Sequence, residues 1–280
     1  MKLRSLLFVP GDRPDRFDKA LGAGADAVIL DLEDSVAFEA KPKARKEVAA
    51  FLGAHPEASL WVRINPLGLP EADRDLDAVL AAHPDGIMLP KAEGGDSVAE
   101  LARSLAARGN ATARILPIAT ETPAAIFALG SYGGHKRLAG LTWGAEDLPA
   151  AIGASASREE DGGYTAPYEV ARALCLFGAA AAGVAAIETV YPDMRDARGL
   201  ADYAARGRRD GFAGMLAIHP AQVPAINAAF TPGEEEIAWA QRIVAAFEAR
   251  PEAGALAVEG RMVDRPHLVQ AKRILGISTS

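Results

Sequence analysis

Acidic side chains follow two neighbouring apolar segments of this chain, each at the point where the segment ends. Glu121 closes segment 113–121, and Asp147, with Glu146 beside it, comes soon after segment 138–144. Converging carboxylates repel one another unless a divalent cation lies among them, and ligation by oxygen alone favours Mg²⁺, with Mn²⁺ as a second choice, over zinc. The pair Glu121 and Asp147 therefore predicts a magnesium site. Glu146 is a competing ligand, and simple interaction with a helix N-terminus is the alternative role for each carboxylate.

A second group of charged residues combines one arginine with an acidic cluster. Arg63 lies near the end of apolar segment 59–65, where its planar guanidinium suits a substrate carboxylate. Its alternative role is to balance the charges of Asp31, Glu33 and Asp34, and the two roles are compatible. We interpret these three carboxylates as groups that orient Arg63 or metal-bound water rather than as direct metal ligands.

Basic residues gather just after the first apolar segment, although the chain as a whole is acidic. Arg13, Arg16 and Lys19 follow this segment and begin the next helical stretch. Cations near a helix N-terminus favour a ligand that carries phosphate, whereas the alternative is a solvated helix face with local charge pairs. Lys91 and Glu188 are expected at the same edge as the other strand ends. Lys91 is of the type that forms Schiff bases, but the many carboxylates favour a metal-dependent reaction instead.

The scaffold for these residues must bring many segment ends together, and the chain supplies eight short apolar runs that alternate with alanine-rich stretches of helical spacing. The runs are continuous rather than alternating, which is typical of parallel strands buried on both faces. Eight strand–helix units predict an α/β fold, the (β/α)₈ TIM barrel, whose active site lies at the C-terminal ends of the strands. The alternative is a doubly wound open sheet, which typically has a glycine-rich dinucleotide-binding motif after its first strand. This chain lacks such a motif there. The predicted strands are 5–10, 27–33, 59–65, 86–91, 113–121, 138–144, 185–192 and 214–220.

The composition excludes several classes of protein. Of the 280 residues, 50% are hydrophobic and 24% are charged, which is typical of globular rather than disordered chains. The net charge of −7 argues against nucleic-acid binding. No apolar stretch approaches the ~18 residues of a membrane span, and the N-terminal apolar run is too short for a signal peptide. The single cysteine, Cys175, fits a reducing compartment, so we expect a cytoplasmic protein without disulfides or cysteine-ligated zinc.

The last part of the chain extends beyond the eight strand–helix units. A helical pattern covers 237–247, a polar stretch covers 250–260, and a final helix begins near Pro266. Such a segment is too short for a separate core. We therefore expect a catalytic barrel over 1–230 and a C-terminal helical extension over 231–280 that packs on the barrel or on a neighbouring subunit.

Eight short motifs fall in order along essentially the whole chain, and together they resemble a known family. They are similar to motifs of the citrate lyase β-subunit-like enzymes, with malyl-CoA and citramalyl-CoA lyases, within the HpcH/HpaI aldolase superfamily. The motifs are specific for the family but not for a substrate. In chain order they are FVPGDRP (8–14), LDLEDSV (30–36), VRIN (62–65), MLPK (88–91), ET (121–122), WGAEDL (143–148), IHP (218–220) and GRMVDRP (260–266).

This resemblance implies a reaction type. It implies a Mg²⁺-dependent carbon–carbon lyase that cleaves or forms a β-hydroxyacyl-CoA thioester, with an oxoacid and an acyl-CoA as the other partners. It implies that Glu121 and Asp147 hold the metal. Arg63 is then the group that stabilises the developing enolate or holds the oxoacid.

The resemblance also implies a binding region and a shared site. Phe8, Arg13 and Lys19 correspond to residues along the coenzyme A moiety. Asp264 corresponds to an acid–base group delivered from an adjacent protomer, and the family implies a homotrimer or hexamer. Position alone does not single out Asp264, whose alternative role is to cap the helix before Pro266.

Other functions remain compatible with the residues. One is a class II pyruvate aldolase that acts on free hydroxy-oxoacids without coenzyme A, although the basic residues near the N-terminus favour coenzyme A. Another is a citrate lyase subunit that needs an acyl-carrier partner. A third is a protein that binds coenzyme A or an oxoacid without catalysis, which the two metal-type carboxylates disfavour.

Overall fold

Eight short parallel strands form one sheet that closes on itself in the computed structural model, which describes residues 2–277. The strands are β1 (Ser5–Pro10), β2 (Ala27–Asp31), β3 (Leu60–Arg63), β4 (Gly86–Leu89), β5 (Arg114–Pro117), β6 (Gly140–Thr142), β7 (Ala185–Glu188) and β8 (Gly214–Ala217). They pair in the order β5-β4-β3-β2-β1-β8-β7-β6. The two ends of this order meet, because Ala139 donates to the Ile115 carbonyl and Ala119 donates to the Thr142 carbonyl, both at 2.8 Å. The predicted (β/α)₈ barrel is confirmed.

Helices connect the strands and cover the outside of the barrel. They are α1 (Phe17–Leu21), α2 (Lys41–Ala54), α3 (Pro70–Val79), α4 (Gly95–Ala107), α5 (Pro123–Ala128), α6 (Leu148–Ile152), α7 (Ala166–Ala182), α8 (Ala197–Asp210) and α9 (Val223–Ala229). Thr122 caps the N-terminus of α5, because its hydroxyl accepts a hydrogen bond from the Ala125 N–H at 3.1 Å. Within residues 2–277, no helix is both long enough and apolar enough to cross a bilayer.

Two apolar layers make up the core of the barrel. Leu6, Trp61, Met88 and Leu116 belong to the cluster that fills the interior. A larger cluster, which includes Leu30, lies between the strands and the surrounding helices. Both faces of each strand are therefore apolar, and polar side chains concentrate where the strands end.

Within the described residues, the chain from Thr231 onward forms a second compact unit. It contains helices α10 (Glu234–Glu248) and α11 (Arg265–Ile274) and a two-stranded antiparallel hairpin of β9 (Ala255–Val258) and β10 (Arg261–Asp264). The expectation that this segment is too short for a core of its own is wrong, because Ile243, Phe247 and Val263 pack in a separate apolar cluster. The extension is thus not only helical, and the stretch 250–260 contains strand β9. Its turn lies at Glu259 and Gly260, both with positive φ, as in two-residue hairpin turns.

Candidate active site

A cavity of about 390 Å³ opens at the C-terminal ends of the barrel strands. Its lining combines apolar side chains such as Ile118 and Leu216 with the carboxylates of Glu121 and Asp147 and the guanidinium of Arg63. The structure therefore brings together the three residues that the sequence predicts for metal binding and charge stabilisation. This is also the end of a TIM barrel at which active sites form.

Glu121 lies in the loop after β5 and is almost fully buried, with 4% of its surface exposed. Its Oε2 accepts a hydrogen bond from the Lys91 backbone N–H at 2.5 Å. Burial raises the pKa of Glu121 to about 8; the Lys91 N–H opposes this shift, and the charges of Glu33 and Asp147 add to it. Such a carboxyl stays protonated at neutral pH unless a cation compensates its charge.

Asp147 lies at the start of α6, and its Oδ1 lies 3.1 Å from Lys91 Nζ. The two loops that carry Asp147 and Glu121 are tied together by Thr120, whose hydroxyl accepts from the Gly144 N–H at 3.0 Å and donates to the Gly144 carbonyl at 3.1 Å. A Cβ at Gly144 would lie 3.3 Å from Glu121 Cγ. Glycine at this position therefore lets the two loops approach closely.

Arg63, the last residue of β3, is held by two carboxylates. Its Nε and Nη2 donate to the two carboxylate oxygens of Asp31 at 2.6 and 2.7 Å, and its Nη1 lies 3.0 Å from Glu33 Oε2. The guanidinium also lies 5.0 Å from the centre of the Phe8 ring. Burial opposes ionisation of Asp31, but the Arg63 hydrogen bonds outweigh it and lower the pKa of Asp31. The acidic cluster thus orients Arg63, while Arg63 still lines the cavity.

The three acidic residues after β2 take different positions although they are close in sequence. Asp31 accepts a backbone hydrogen bond from Glu33 at 3.0 Å, which fixes the turn after the strand. Glu33 is buried and contacts both Arg63 and Lys91. Asp34 is exposed and lines the cavity. Asp31 and Glu33 therefore contact the cations of the site, in agreement with an orienting role.

A second cavity, of about 530 Å³, adjoins the first and shares Phe8 with it. Arg16 and Lys19 line this second cavity. Arg13 lies outside its lining and donates two hydrogen bonds to Asp15, at 2.9 and 2.8 Å. Of the three residues predicted to bind coenzyme A, Phe8 and Lys19 line this cavity and Arg13 does not. Arg16 is the second cationic residue in the lining, beside Lys19.

Asp264 lies in the second unit, at the N-terminus of α11. Its Oδ1 accepts from the His267 backbone N–H at 3.4 Å and lies 2.5 Å from His267 Nδ1. The contact with His267 lowers the pKa of Asp264. The capping role is therefore present, and the acid–base role in an adjacent protomer stays a prediction.

The contacts of Lys91 and the burial of Glu188 are not predicted by the sequence. Lys91 contacts both predicted metal ligands, but its backbone has φ of 50°, a conformation that no nearby residue pattern signals. Glu188, expected at the rim, is fully buried and accepts a hydrogen bond from Arg172 Nε at 2.7 Å. Its side chain belongs to the packing of β7 against α7 rather than to the cavity.

Comparisons with known proteins agree with this geometry. The HpcH/HpaI aldolase/citrate lyase family model matches residues 4–220. A citrate lyase subunit beta-like protein of Mycobacterium tuberculosis is 41% identical over 269 residues, which cover 96% of this chain and 93% of that protein. A (3S)-malyl-CoA thioesterase of Cereibacter sphaeroides is 33% identical over 281 residues, which cover 97% and 93% of the two chains. The crystal structure of CitE from Mycobacterium tuberculosis in complex with magnesium, acetoacetate and coenzyme A has a TM-score of 0.82 and 39% identity, and covers 98% of this chain and 97% of that one.

The closed barrel, with carboxylates and a guanidinium at its strand ends, has the architecture of a TIM-barrel enzyme. The matches to the aldolase/citrate lyase family model and to a citrate lyase subunit beta-like protein indicate the carbon–carbon lyase class. More narrowly, the chain belongs to the HpcH/HpaI aldolase/citrate lyase family. The family resemblance seen in the motifs is therefore confirmed.

Proposed function

We propose that this protein is a Mg²⁺-dependent lyase that cleaves, or in reverse forms, a β-hydroxyacyl-CoA thioester such as malyl-, citramalyl- or citryl-CoA. The products of cleavage are an oxoacid and an acyl-CoA. This proposal rests on one observation: a single cavity is lined by Glu121, Asp147 and Arg63. The CitE structure with magnesium, acetoacetate and coenzyme A supports the same classes of ligand for this chain.

The charges of the site fit one divalent cation. Arg63 and Lys91 together contact four carboxylates, which are those of Asp31, Glu33, Glu121 and Asp147. When all six groups are ionised, this cluster carries a net charge of −2 (two minus four). Within the described part of the chain, no three His, Cys, Asp or Glu side chains form a complete protein cage for a metal. Mg²⁺ typically takes one or two carboxylates and keeps its other positions for water and substrate, which matches Glu121 and Asp147. There the ion would act as a Lewis acid towards the oxoacid oxygens.

We assign to Arg63 the stabilisation of the negative charge that develops on the thioester during cleavage. The hydroxyl proton is removed, the bond between the two carbons breaks, and its electron pair moves onto the thioester to give an enolate. Asp31 holds the guanidinium by two hydrogen bonds, so its remaining N–H groups are oriented before the reaction begins. A proton delivered to the enolate carbon completes the acyl-CoA.

We assign the proton transfer to Asp264 of an adjacent protomer, in a homotrimer or hexamer, because the GRMVDRP motif matches the family at this point. A carboxylate of suitable position can remove the hydroxyl proton in one direction and a methyl proton in the other. The His267 contact lowers the pKa of Asp264, so this carboxyl is ionised at neutral pH, as a base must be.

The second cavity is the region that we assign to the coenzyme A moiety. Arg16 and Lys19 supply positive charge for its phosphates, and Phe8 lies between this cavity and the first. This arrangement favours a thioester substrate over a free hydroxy-oxoacid, which would leave the second cavity unused.

Hydrolysis of the thioester is a second candidate, which the 33% identity to a (3S)-malyl-CoA thioesterase favours. The two reactions differ in their products. Cleavage of the carbon–carbon bond gives an oxoacid and an acyl-CoA, whereas hydrolysis gives a hydroxyacid and free coenzyme A. An assay of the purified protein with Mg²⁺ on malyl-, citramalyl- and citryl-CoA, with mass-spectrometric product analysis, distinguishes them. We expect an oxoacid and an acyl-CoA from at least one substrate, and free thiol alone would contradict the lyase proposal.

Variants of the site test the residue assignments in the same assay. Glu121→Gln and Asp147→Asn each remove one charged metal ligand, and we expect kcat to fall by about 100-fold or more. Glu146→Gln is the matched control, because Glu146 is the adjacent carboxylate on the same loop, and it should leave kcat unchanged. Full activity of Glu121→Gln, or equal losses in Glu146→Gln and Asp147→Asn, would refute the assignment.

A further inference from the structure

Lys91 occupies the centre of the acidic part of the site. Its Nζ lies 2.9 Å from Glu33 Oε1 and 3.1 Å from Asp147 Oδ1, while its backbone N–H donates to Glu121 Oε2 at 2.5 Å. One residue therefore contacts three carboxylates, two of which are the metal ligands of the proposed function. The Lys91 side chain is one-third exposed, so it can change its position without opening the core.

The backbone of Lys91 explains how one residue makes all three contacts. Its φ of 50° lies in the left-handed region, which is disfavoured for residues with a Cβ. Glycine would be easier to accommodate at such a position, but it would lack the ammonium group. The conformation directs the backbone N–H to Glu121 while the side chain reaches Glu33 and Asp147.

A divalent cation at Glu121 and Asp147 would be repelled by an ammonium group that contacts the same aspartate. Glu33 offers Lys91 a second partner outside the metal pair, next to Arg63. On the basis of the proposed function, we infer that Lys91 is a positioning residue that acts as a displaceable counter-cation. Its ammonium holds Asp147 when no metal is bound, and it leaves Asp147 but keeps Glu33 when Mg²⁺ binds.

Two consequences follow for the binding of Mg²⁺. Lys91 competes with the metal for Asp147 and so weakens its intrinsic affinity. Lys91 also compensates the acidic cluster in the metal-free protein, which keeps that form stable. Removal of its charge should therefore strengthen Mg²⁺ binding and make the stability of the protein depend more on the metal.

The test measures Mg²⁺ binding to the full-length protein by calorimetry, without substrate. We expect Lys91→Met to lower the Kd for Mg²⁺ by roughly tenfold, from the Coulomb repulsion of a unit and a double charge a few ångströms apart. Lys91→Arg keeps the charge and should leave the Kd near that of the wild type. Lys136→Met is the matched control, because the exposed Lys136 precedes β6, at the opposite end of the barrel. It changes the net charge equally and should leave the Kd unchanged.

A second measurement follows the melting temperature in EDTA and in saturating Mg²⁺. The rise in Tm with Mg²⁺ should be larger for Lys91→Met than for the wild type, and Lys91→Gln repeats the test if the methionine variant does not fold. An unchanged or weaker Mg²⁺ affinity in a folded Lys91→Met variant, with the wild type binding Mg²⁺, would overturn this inference and leave the proposed function intact. Failure of the wild type to bind Mg²⁺ would overturn the metal site and the inference together.

Discussion

Single residues of the site differ strongly in their chemistry although most of them are carboxylates. Glu121 is buried and its pKa is raised to about 8, whereas Asp31 has a lowered pKa because Arg63 donates two hydrogen bonds to it. The raised pKa means that the metal-free protein holds a proton on Glu121 at neutral pH. Mg²⁺ must displace this proton, because only the carboxylate is a ligand.

The pH dependence of metal binding follows from this displacement. Above pH 8, Glu121 is already ionised and the Mg²⁺ affinity should be constant. Below pH 8, binding must release a proton, so we expect the affinity to fall by about tenfold for each pH unit. Calorimetry between pH 6 and pH 9 measures this slope and the accompanying proton release.

The control for this prediction is a second buffer with a different ionisation enthalpy. The apparent binding enthalpy should depend on the buffer at pH 7 and become independent of it at pH 9. An affinity that stays constant from pH 6 to pH 9 would show that Glu121 is already ionised in the metal-free protein.

At the scale of secondary-structure elements, Glu188 joins β7 to the strand and helices beside it. Its Oε1 accepts from Trp143 Nε1 at 2.5 Å and from the Tyr203 hydroxyl at 2.9 Å, and its Oε2 accepts from Arg172 Nε at 2.7 Å. Trp143 lines the active-site cavity, so this buried network fixes part of the cavity wall. Removal of one member of a buried ion pair is costly, because the other charge loses its partner.

Glu188→Ala tests the strength of this connection. We expect the free energy of unfolding to fall by about 3 kcal/mol or more, because Arg172 then loses its main buried partner. Glu169→Ala is the control, since Glu169 pairs with Arg206 at 2.6 Å near the surface. Glu169→Ala should lower the free energy of unfolding by about 1 kcal/mol or less. Urea unfolding measures both values, and equal losses would contradict a special role for the buried pair.

At the scale of the whole molecule, the proposed reaction uses residues from both compact units. The barrel unit carries Glu121, Asp147 and Arg63, and the C-terminal unit carries Asp264. The C-terminal unit has its own apolar cluster, which supports the helix that Asp264 caps. If Asp264 serves an adjacent protomer, each active site needs two chains.

Complementation between inactive variants tests this shared site. Glu121→Gln removes a metal ligand from the active site of the barrel. Asp264→Asn removes the group assigned to proton transfer, while asparagine still caps α11. We expect each variant alone to be inactive. In randomly mixed cyclic trimers, about one quarter of the sites should combine an intact barrel with an intact neighbouring Asp264. Activity after co-refolding of the two variants measures this fraction.

The double variant provides the control for complementation. Chains that carry both Glu121→Gln and Asp264→Asn should stay inactive after mixing with Glu121→Gln, because no intact barrel is present. Failure of the two single variants to restore activity, in an oligomer shown to exchange subunits, would place the action of Asp264 within its own chain or outside the reaction.

The barrel could be predicted because its hydrophobic pattern repeats, and a parallel strand buried on both faces gives a continuous apolar run. The predicted ranges are longer than the strands: run 113–121 contains only Arg114–Pro117 as β5, and the rest leads into the loop that carries Glu121. The hairpin Ala255–Asp264 is not predicted, because its two strands have only four residues each and no helical stretch separates them, unlike the strands of the barrel.

The sequence by itself determined which side chains reach the mouth of the barrel. Glu121, Asp147 and Arg63 follow strands, and the C-terminal ends of all strands in a closed parallel barrel lie on one face. Only the tertiary structure decided how these groups are connected. The contacts of Lys91 depend on a left-handed backbone conformation, and the burial of Glu188 depends on which side of β7 it faces. A continuous apolar run cannot reveal that side, because both faces of the strand are equally hydrophobic.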